Sequence, residues 1–131
     1  MNFLALPTLP STIAVWSGGG FNVSYLRHTD WLMGKDIYYW GDIDEHGFQI
    51  LHQLRSYYPH TKSLMMDRLT YEEFKLYAAK GERNTVERLS GLNDAEAELY
   101  AFIKEQPNKN RLEQEKIPQY YIDQELQKII P

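Results

Sequence analysis

Two aspartates, Asp42 and Asp44, stand one residue apart in the segment YWGDIDEHGF, which covers residues 39–48 and follows a short apolar run. If that run is a strand, alternate residues at its end point to the same side. Two hard carboxylates on one side form a seat for Mg²⁺ or Mn²⁺. Gly41 and Gly47 flank the pair, and glycine lets the backbone turn sharply and a substrate come close. The spacing therefore predicts a divalent-metal site in which Asp42 and Asp44 are the ligands.

The same residues have simpler interpretations. Asp-x-Asp pairs arise often by chance, and Asp44 has the position of an N-cap for a helix that begins near Glu45. His46 is a candidate ligand or proton carrier, but a single histidine in the first turn of a helix is more often a polar surface residue. Asp67 follows another apolar run, so it either joins an acidic pocket or caps the next helix. For Asp44 and Asp67 both interpretations stay open.

The first half of the chain supplies the scaffold for these residues. Three short apolar runs, at residues 13–16, 37–40 and 63–66, predict strands. Residues 21–33 and 48–54 have helical spacing, and Pro59 closes the second of these segments. The alternation of strand, turn, helix and strand predicts an α/β fold with a mainly parallel central sheet. In such sheets the loops at the carboxyl ends of the strands carry the chemistry.

A glycine-rich loop at residues 17–20 follows the first predicted strand. It is not a P-loop, since no Gly-Lys-Ser/Thr follows. It either approaches a phosphate backbone or forms a plain tight turn.

The second half is richer in charge and predicts helices that pack on the sheet. Thr70 resembles an N-cap with acidic residues behind it, and Asn93 opens a helix whose buried stripe includes Leu99, Phe102 and Ile103. A final helix is predicted over residues 119–129. The fold class is therefore α/β with a helical C-terminal part.

The bulk composition bounds the class of protein. A length of 131 residues suits one domain, and a hydrophobic content of 43% is ordinary for a globular protein. The absence of cysteine excludes disulfides and thiolate metal sites. No apolar run has the length of a membrane helix, so a cytoplasmic protein without membrane contact is expected. The net charge of −4 predicts that a protein working on DNA would need another domain or subunit for grip.

Five strings together resemble the C-terminal domain of the JetD family, the nuclease subunit of the Wadjet anti-plasmid defence system. They are YWGDID at 39–44, GFQIL at 47–51, LR at 54–55, SLMMD at 63–67 and RLEQE at 111–115. The resemblance runs from about Asn2 to the final helix. That family is similar to the A subunit of topoisomerase VI and shares its Toprim domain, in which Asp42 and Asp44 match the Asp-x-Asp motif.

The resemblance implies a Toprim-like fold and Mg²⁺- or Mn²⁺-dependent cleavage of duplex DNA, with Asp42 and Asp44 as the catalytic residues. The target would be closed circular plasmid DNA, presented by the subunits of a condensin-like motor complex. Toprim domains also use a glutamate at the end of their first strand, which in this family lies before the segment that begins at Asn2. The chain is therefore expected to be one Toprim-like domain over residues 1–131, a fragment without that glutamate and without the N-terminal DNA-binding region, and inactive alone.

The reactive tyrosine of the topoisomerase VI relatives belongs to that upstream region. The resemblance therefore nominates no tyrosine here as a nucleophile: water is the expected attacker, and Tyr38 and Tyr39 are expected to be strand residues with a packing role. Glu113 and Glu115 are secondary site candidates for which a structural role, such as pairing with Arg111, is favoured.

Two rival functions remain at this stage. One is a non-catalytic assembly module that binds a partner or a second copy of itself. The other is a different Toprim enzyme, such as a primase-like protein. Neither accounts for the RLEQE string.

Overall fold

The structure, a computed structural model, describes residues 12–13 and 22–129. In that part of the chain the elements follow in the order β1 (Tyr38–Tyr39), α1 (Glu45–Tyr57), β2 (Lys62–Ser63), α2 (Arg68–Phe74), α3 (Asp94–Lys104) and α4 (Gln119–Gln127). Short 3₁₀ helices lie at Asn22–Leu26, Asp30–Gly34, Lys75–Tyr77 and Gln114–Lys116. None of these helices is long and apolar enough to cross a lipid bilayer.

The two strands are parallel neighbours, and α1 connects them. Tyr38 pairs with Lys62 and Tyr39 with Ser63. The N–H of Leu64 donates to the carbonyl of Tyr39 at 2.8 Å, which extends the ladder past the end of β2. Parallel strands need a crossover connection of this kind. The predicted mixture of helices with a parallel sheet is confirmed, on a small scale, by this strand–helix–strand unit.

The strands are much shorter than the predicted runs at 37–40 and 63–66. Met65 adopts a φ of 55°, a left-handed conformation that ends the extended backbone. The turn sends Met65 and Met66 into the core, where 3% and 1% of their surfaces stay exposed. Of the strand predicted at 13–16, Ile13 lies outside any strand, and residues 14–16 lie outside the described residues, as does the loop at 17–20.

The prediction of one helical stretch over residues 21–33 is wrong in the part that the structure describes. Two 3₁₀ helices stand there instead, separated at Arg27–Thr29. The hydroxyl of Tyr58 donates to the carbonyls of Leu26 at 2.5 Å and Thr29 at 2.9 Å. A hydroxyl from the residue that follows α1 therefore satisfies acceptors at the break, which stabilises the interruption.

α1 lies between two hydrophobic clusters. One side contributes Phe48 and Leu51 to the main core, which also takes side chains from α3 and α4. The other side contributes Ile50 and Leu54 to a smaller cluster with Val23 of the first 3₁₀ helix. Because both sides are buried, the first turn of α1 is held firmly, and the residues just before it are held with it.

The helix starts are fixed by side-chain caps. Asn93 and Glu96 form a complete capping box at α3, as the sequence predicted for the start of that helix. The predicted N-cap Thr70 is wrong: Asp67 caps α2, with its carboxylate accepting the Thr70 N–H at 2.7 Å. Thr70 is instead buried in the first turn.

Candidate metal centre

The loop between β1 and α1 carries Asp42 and Asp44 on either side of a buried anchor, Ile43. Only 1% of Ile43 is exposed. Its N–H donates to the carbonyl of Leu112 at 2.9 Å, and its carbonyl accepts the Leu112 N–H at 3.0 Å. This two-way bridge fixes the middle of the loop and with it the directions of the flanking carboxylates.

Both carboxylates face one cation, the guanidinium of Arg111. Its Nη2 lies 3.4 Å from Oδ2 of Asp42, and its Nε lies 3.4 Å from Oδ2 of Asp44. Sequence reasoning placed Arg111 in the RLEQE string as a partner for a glutamate and missed this role. The structure therefore brings together three charged groups where the sequence predicted two.

The second oxygen of Asp42 is held by the same downstream segment. Oδ1 accepts the backbone N–H of Gln114 at 2.9 Å, and the Gln114 side chain donates to the carbonyl of Trp40 at 2.9 Å. Asp42 is thus positioned through one oxygen, and its other oxygen faces Arg111. About a quarter of its side chain, 26%, stays exposed.

Of the two roles that the sequence left open for Asp44, the N-cap is confirmed. Its Oδ1 accepts the Gly47 N–H at 2.6 Å as the N-cap of α1, while Oδ2 faces Arg111. Only 8% of the residue is exposed. The capping position draws Asp44 against the first turn of the helix, which accounts for this burial.

Burial raises the pKa of Asp44 from its ordinary value to about 6. The Gly47 N–H opposes this rise, the negative charge of Asp42 adds to it, and the charges of Arg111 and His46 again oppose it. Because Asp44 is shielded from solvent, its ionised form gains more from an additional cation than the ionised form of an exposed carboxylate would.

The two glycines of the loop accommodate neighbouring protein atoms. A Cβ on Gly47 would overlap the backbone carbonyl oxygen of Asp42 and lie 3.1 Å from Oδ1 of Asp44. A Cβ on Gly41 would overlap the hydroxyl of Tyr39. The close approach that the sequence predicted for a substrate is thus made by the chain itself.

Tyr39 is a strand residue, as expected, and its hydroxyl lies against Gly41. Burial raises its pKa above the ordinary value, and the negative charges of Asp44 and Asp42 raise it further. A phenolate is therefore disfavoured here, which agrees with a packing role.

The remaining candidates lie in different places. His46 is an exposed residue in the first turn of α1 and lines, with both aspartates and Arg111, a cleft of about 580 Å³. Asp67 is an exposed helix cap outside that lining. Glu113 and Glu115 are not lining residues either, although Gln114 between them is.

The residues of the loop fit a weakly held hard cation. Oδ2 of Asp42 and Oδ2 of Asp44 face the same positive group, and both contacts are longer than the usual 2.7–2.9 Å of a charge-assisted hydrogen bond. Among residues 12–13 and 22–129, no cluster of three His, Cys, Asp or Glu has the arrangement of a metal site. Two carboxylates completed by water are sufficient for Mg²⁺, which keeps several of its waters in proteins.

Comparison with known proteins identifies the family. A search of curated proteins gave no match. The family model described as Wadjet protein JetD, C-terminal, matches residues 1–126 of the 131 in the chain. The match includes Arg111, most of α4 and the whole loop between β1 and α1 that carries Asp42 and Asp44, called the acidic loop below. The chain therefore belongs to the JetD C-terminal family.

Proposed function

We propose that this chain is a Toprim-like, metal-dependent nuclease domain that cleaves phosphodiester bonds of duplex plasmid DNA within a Wadjet defence complex. Family membership supports the place in a Wadjet system. The observation that supports the chemistry is the convergence of Asp42 and Asp44 on one cation at the end of a parallel strand.

In this proposal Asp42 and Asp44 are the residues that would hold Mg²⁺ or Mn²⁺. When bound, the metal would polarise the scissile phosphate and stabilise the leaving oxygen. The N–H groups of Gln114 and Gly47 hold one oxygen of each carboxylate, so both side chains are oriented before the metal arrives.

The net charge of the chain supports an arrangement in which other subunits supply most of the contacts to DNA. With a net charge of −4, the chain supplies little of the phosphate neutralisation on which binding to duplex DNA depends. We propose that condensin-like motor subunits of the complex hold the plasmid and present it to the acidic loop.

One observation favours a second candidate, a non-catalytic assembly module. Arg111 already neutralises part of the acidic pair, and Asp44 already serves as a helix cap. A purely structural cluster would have the same contacts. The two candidates differ in whether the carboxylates are needed for cleavage once the fold is preserved.

The test is plasmid cleavage by the Wadjet complex that contains this protein, with Mg²⁺ or Mn²⁺. Asp42→Asn and Asp44→Asn retain the hydrogen-bond acceptors of the loop but remove its charge, so both should abolish cleavage. Asp67→Asn is the matched control, because it makes the same change at the N-cap of α2, away from the cleft. Full cleavage by either loop variant would favour the assembly module.

A further inference from the structure

We propose that Arg111 is a displaceable counter-ion of the acidic pair: a divalent cation takes its place between Asp42 and Asp44, and the released guanidinium then binds a phosphate oxygen in the same cleft. This inference rests on the proposed metal site and adds a residue to it.

The contacts of Arg111 are those of a loosely seated cation. Both distances to the carboxylates are 3.4 Å, and its Nε, although shielded from solvent, has no hydrogen-bond partner. A guanidinium that matches a carboxylate makes two parallel bonds at shorter distances. Here one guanidinium is shared by two carboxylates and matches neither, so its displacement forfeits little.

The backbone beneath Arg111 is fixed, so only the head of the side chain has to move. Its N–H donates to the carbonyl of Ala79 at 3.1 Å, and its carbonyl accepts the Ala79 N–H at 2.8 Å. A Cβ on Gly81 would lie 2.8 Å from the Cβ and Cδ of Arg111, which places the aliphatic stem directly over that glycine. The stem is thus packed, while 37% of the side chain is exposed to solvent beside the cleft.

The charges of the two competing cations, the divalent ion and the Arg111 guanidinium, determine which of them is bound by Asp42 and Asp44. Two neighbouring carboxylates disfavour each other's ionisation and need a positive partner. A divalent ion brings twice the charge of a guanidinium in a smaller volume, so it interacts more strongly with both oxygens and repels Arg111.

The released guanidinium would stay within the length of its side chain from the metal. Arginine presents a planar fork of donors that suits phosphate oxygens. A phosphodiester that entered the cleft would therefore meet the metal and a guanidinium side by side. The guanidinium of Arg111 is thus paired with the two carboxylates in one state and with the phosphate in the other, so its partly buried charge is not left without a partner.

The first experiment measures Mn²⁺ affinity by calorimetry on the 131-residue chain. Arg111→Met keeps the stem over Gly81 and removes the charge, so its affinity should rise about tenfold or more relative to wild type. Arg111→Lys keeps the charge and should stay within about threefold of wild type. Asp42→Asn should lose binding, which assigns the measured site to the loop.

The outcomes separate the two proposals. Unchanged or weaker Mn²⁺ binding by Arg111→Met, with binding still lost in Asp42→Asn, would overturn the counter-ion role and leave the metal site standing. If neither wild type nor Arg111→Met binds Mn²⁺ at the loop, the metal site itself fails, and the role of Arg111 fails with it.

The second experiment needs no variant and therefore does not depend on folding of a mutant. The Nε–H resonance of Arg111 is followed by NMR in the wild-type chain as Mg²⁺ and then inorganic phosphate are added. We expect a shift with Mg²⁺ and a further shift with phosphate that is absent without Mg²⁺. A resonance that ignores Mg²⁺ while the loop amides respond, or a phosphate response that does not need Mg²⁺, would contradict displacement.

Discussion

Gly47 packs directly against the backbone carbonyl of Asp42, with no room for a side chain between them. Gly47→Ala would therefore push the first turn of α1 away from the loop that carries Asp42 and Asp44. We expect a loss of about 1–3 kcal/mol in the free energy of unfolding, the usual cost of overpacking a buried site. Urea unfolding followed by circular dichroism measures it.

Gly34 is the matched control for this substitution. A Cβ at Gly34 would meet nothing within 4 Å, so Gly34→Ala should leave the free energy of unfolding nearly unchanged. Equal effects of the two substitutions would show that the contact between Gly47 and Asp42 is unimportant for the loop.

The stability of the protein should respond differently to Asn and to Ala at position 44. Asn caps helices as well as Asp, so Asp44→Asn should keep α1 intact and retain the stability of the wild type at neutral pH. Asp44→Ala removes the acceptor for the Gly47 N–H and should cost about 1 kcal/mol, up to about 2. Both variants should lose Mn²⁺ affinity, but only Asp44→Ala should unfold at a lower temperature. Thermal unfolding therefore separates the capping role of Asp44 from metal binding. Equal stability of the two variants would argue against the cap.

Metal binding should depend on pH through Asp44. Its pKa of about 6 lies above the ordinary value, so a proton occupies the carboxylate below that pH and competes with the cation. The affinity for Mn²⁺ should therefore rise with pH up to about 6 and level off above it. Calorimetric titrations across this range measure the dependence, and a carbon NMR titration of the Asp44 carboxyl without metal should give the same midpoint. Affinity that is constant through this range would contradict the prediction.

Glu45, next to the cap, should be important for the fold rather than for chemistry. It is 2% exposed and pairs with Lys104 of α3 at 2.7 Å. Removing one partner of a buried pair costs about 3 kcal/mol or more, so Glu45→Gln should lower the unfolding midpoint clearly. Glu72→Gln, which breaks an exposed pair with Arg68, is the control and should change it little. Similar unfolding midpoints for Glu45→Gln and Glu72→Gln would contradict the structural role assigned to Glu45.

Features specified by neighbouring residues were predictable from the sequence. The start of α3 follows from Asn93 and Glu96, which satisfy each other's backbone donors within one turn. The end of α1 was predicted from Pro59, and the helix ends at Tyr57. The Asp-x-Asp spacing likewise indicated a shared direction for Asp42 and Asp44, which now face one guanidinium.

Features specified by distant residues were not predictable. The break between the two 3₁₀ helices is stabilised by the hydroxyl of Tyr58, 32 positions beyond Leu26. Arg111 is 69 positions beyond Asp42, and no local pattern indicates which cation a loop will meet at that separation. The sequence left capping and metal binding as alternatives for Asp44, and it does not show that the two oxygens of this carboxylate face different protein groups, Gly47 and Arg111.

The bridge between Ile43 and Leu112 has a consequence for the order in which the protein is made. Asp42 leaves the ribosome 72 positions before Gln114, whose N–H holds its Oδ1. A nascent chain that has not reached this point therefore has its aspartates without the hydrogen bond and the guanidinium that orient them. Contacts of such long sequence separation carry a loop-closure entropy cost and form slowly. The two carboxylates are thus oriented only after the helical half, with Arg111 and Gln114, has been synthesised.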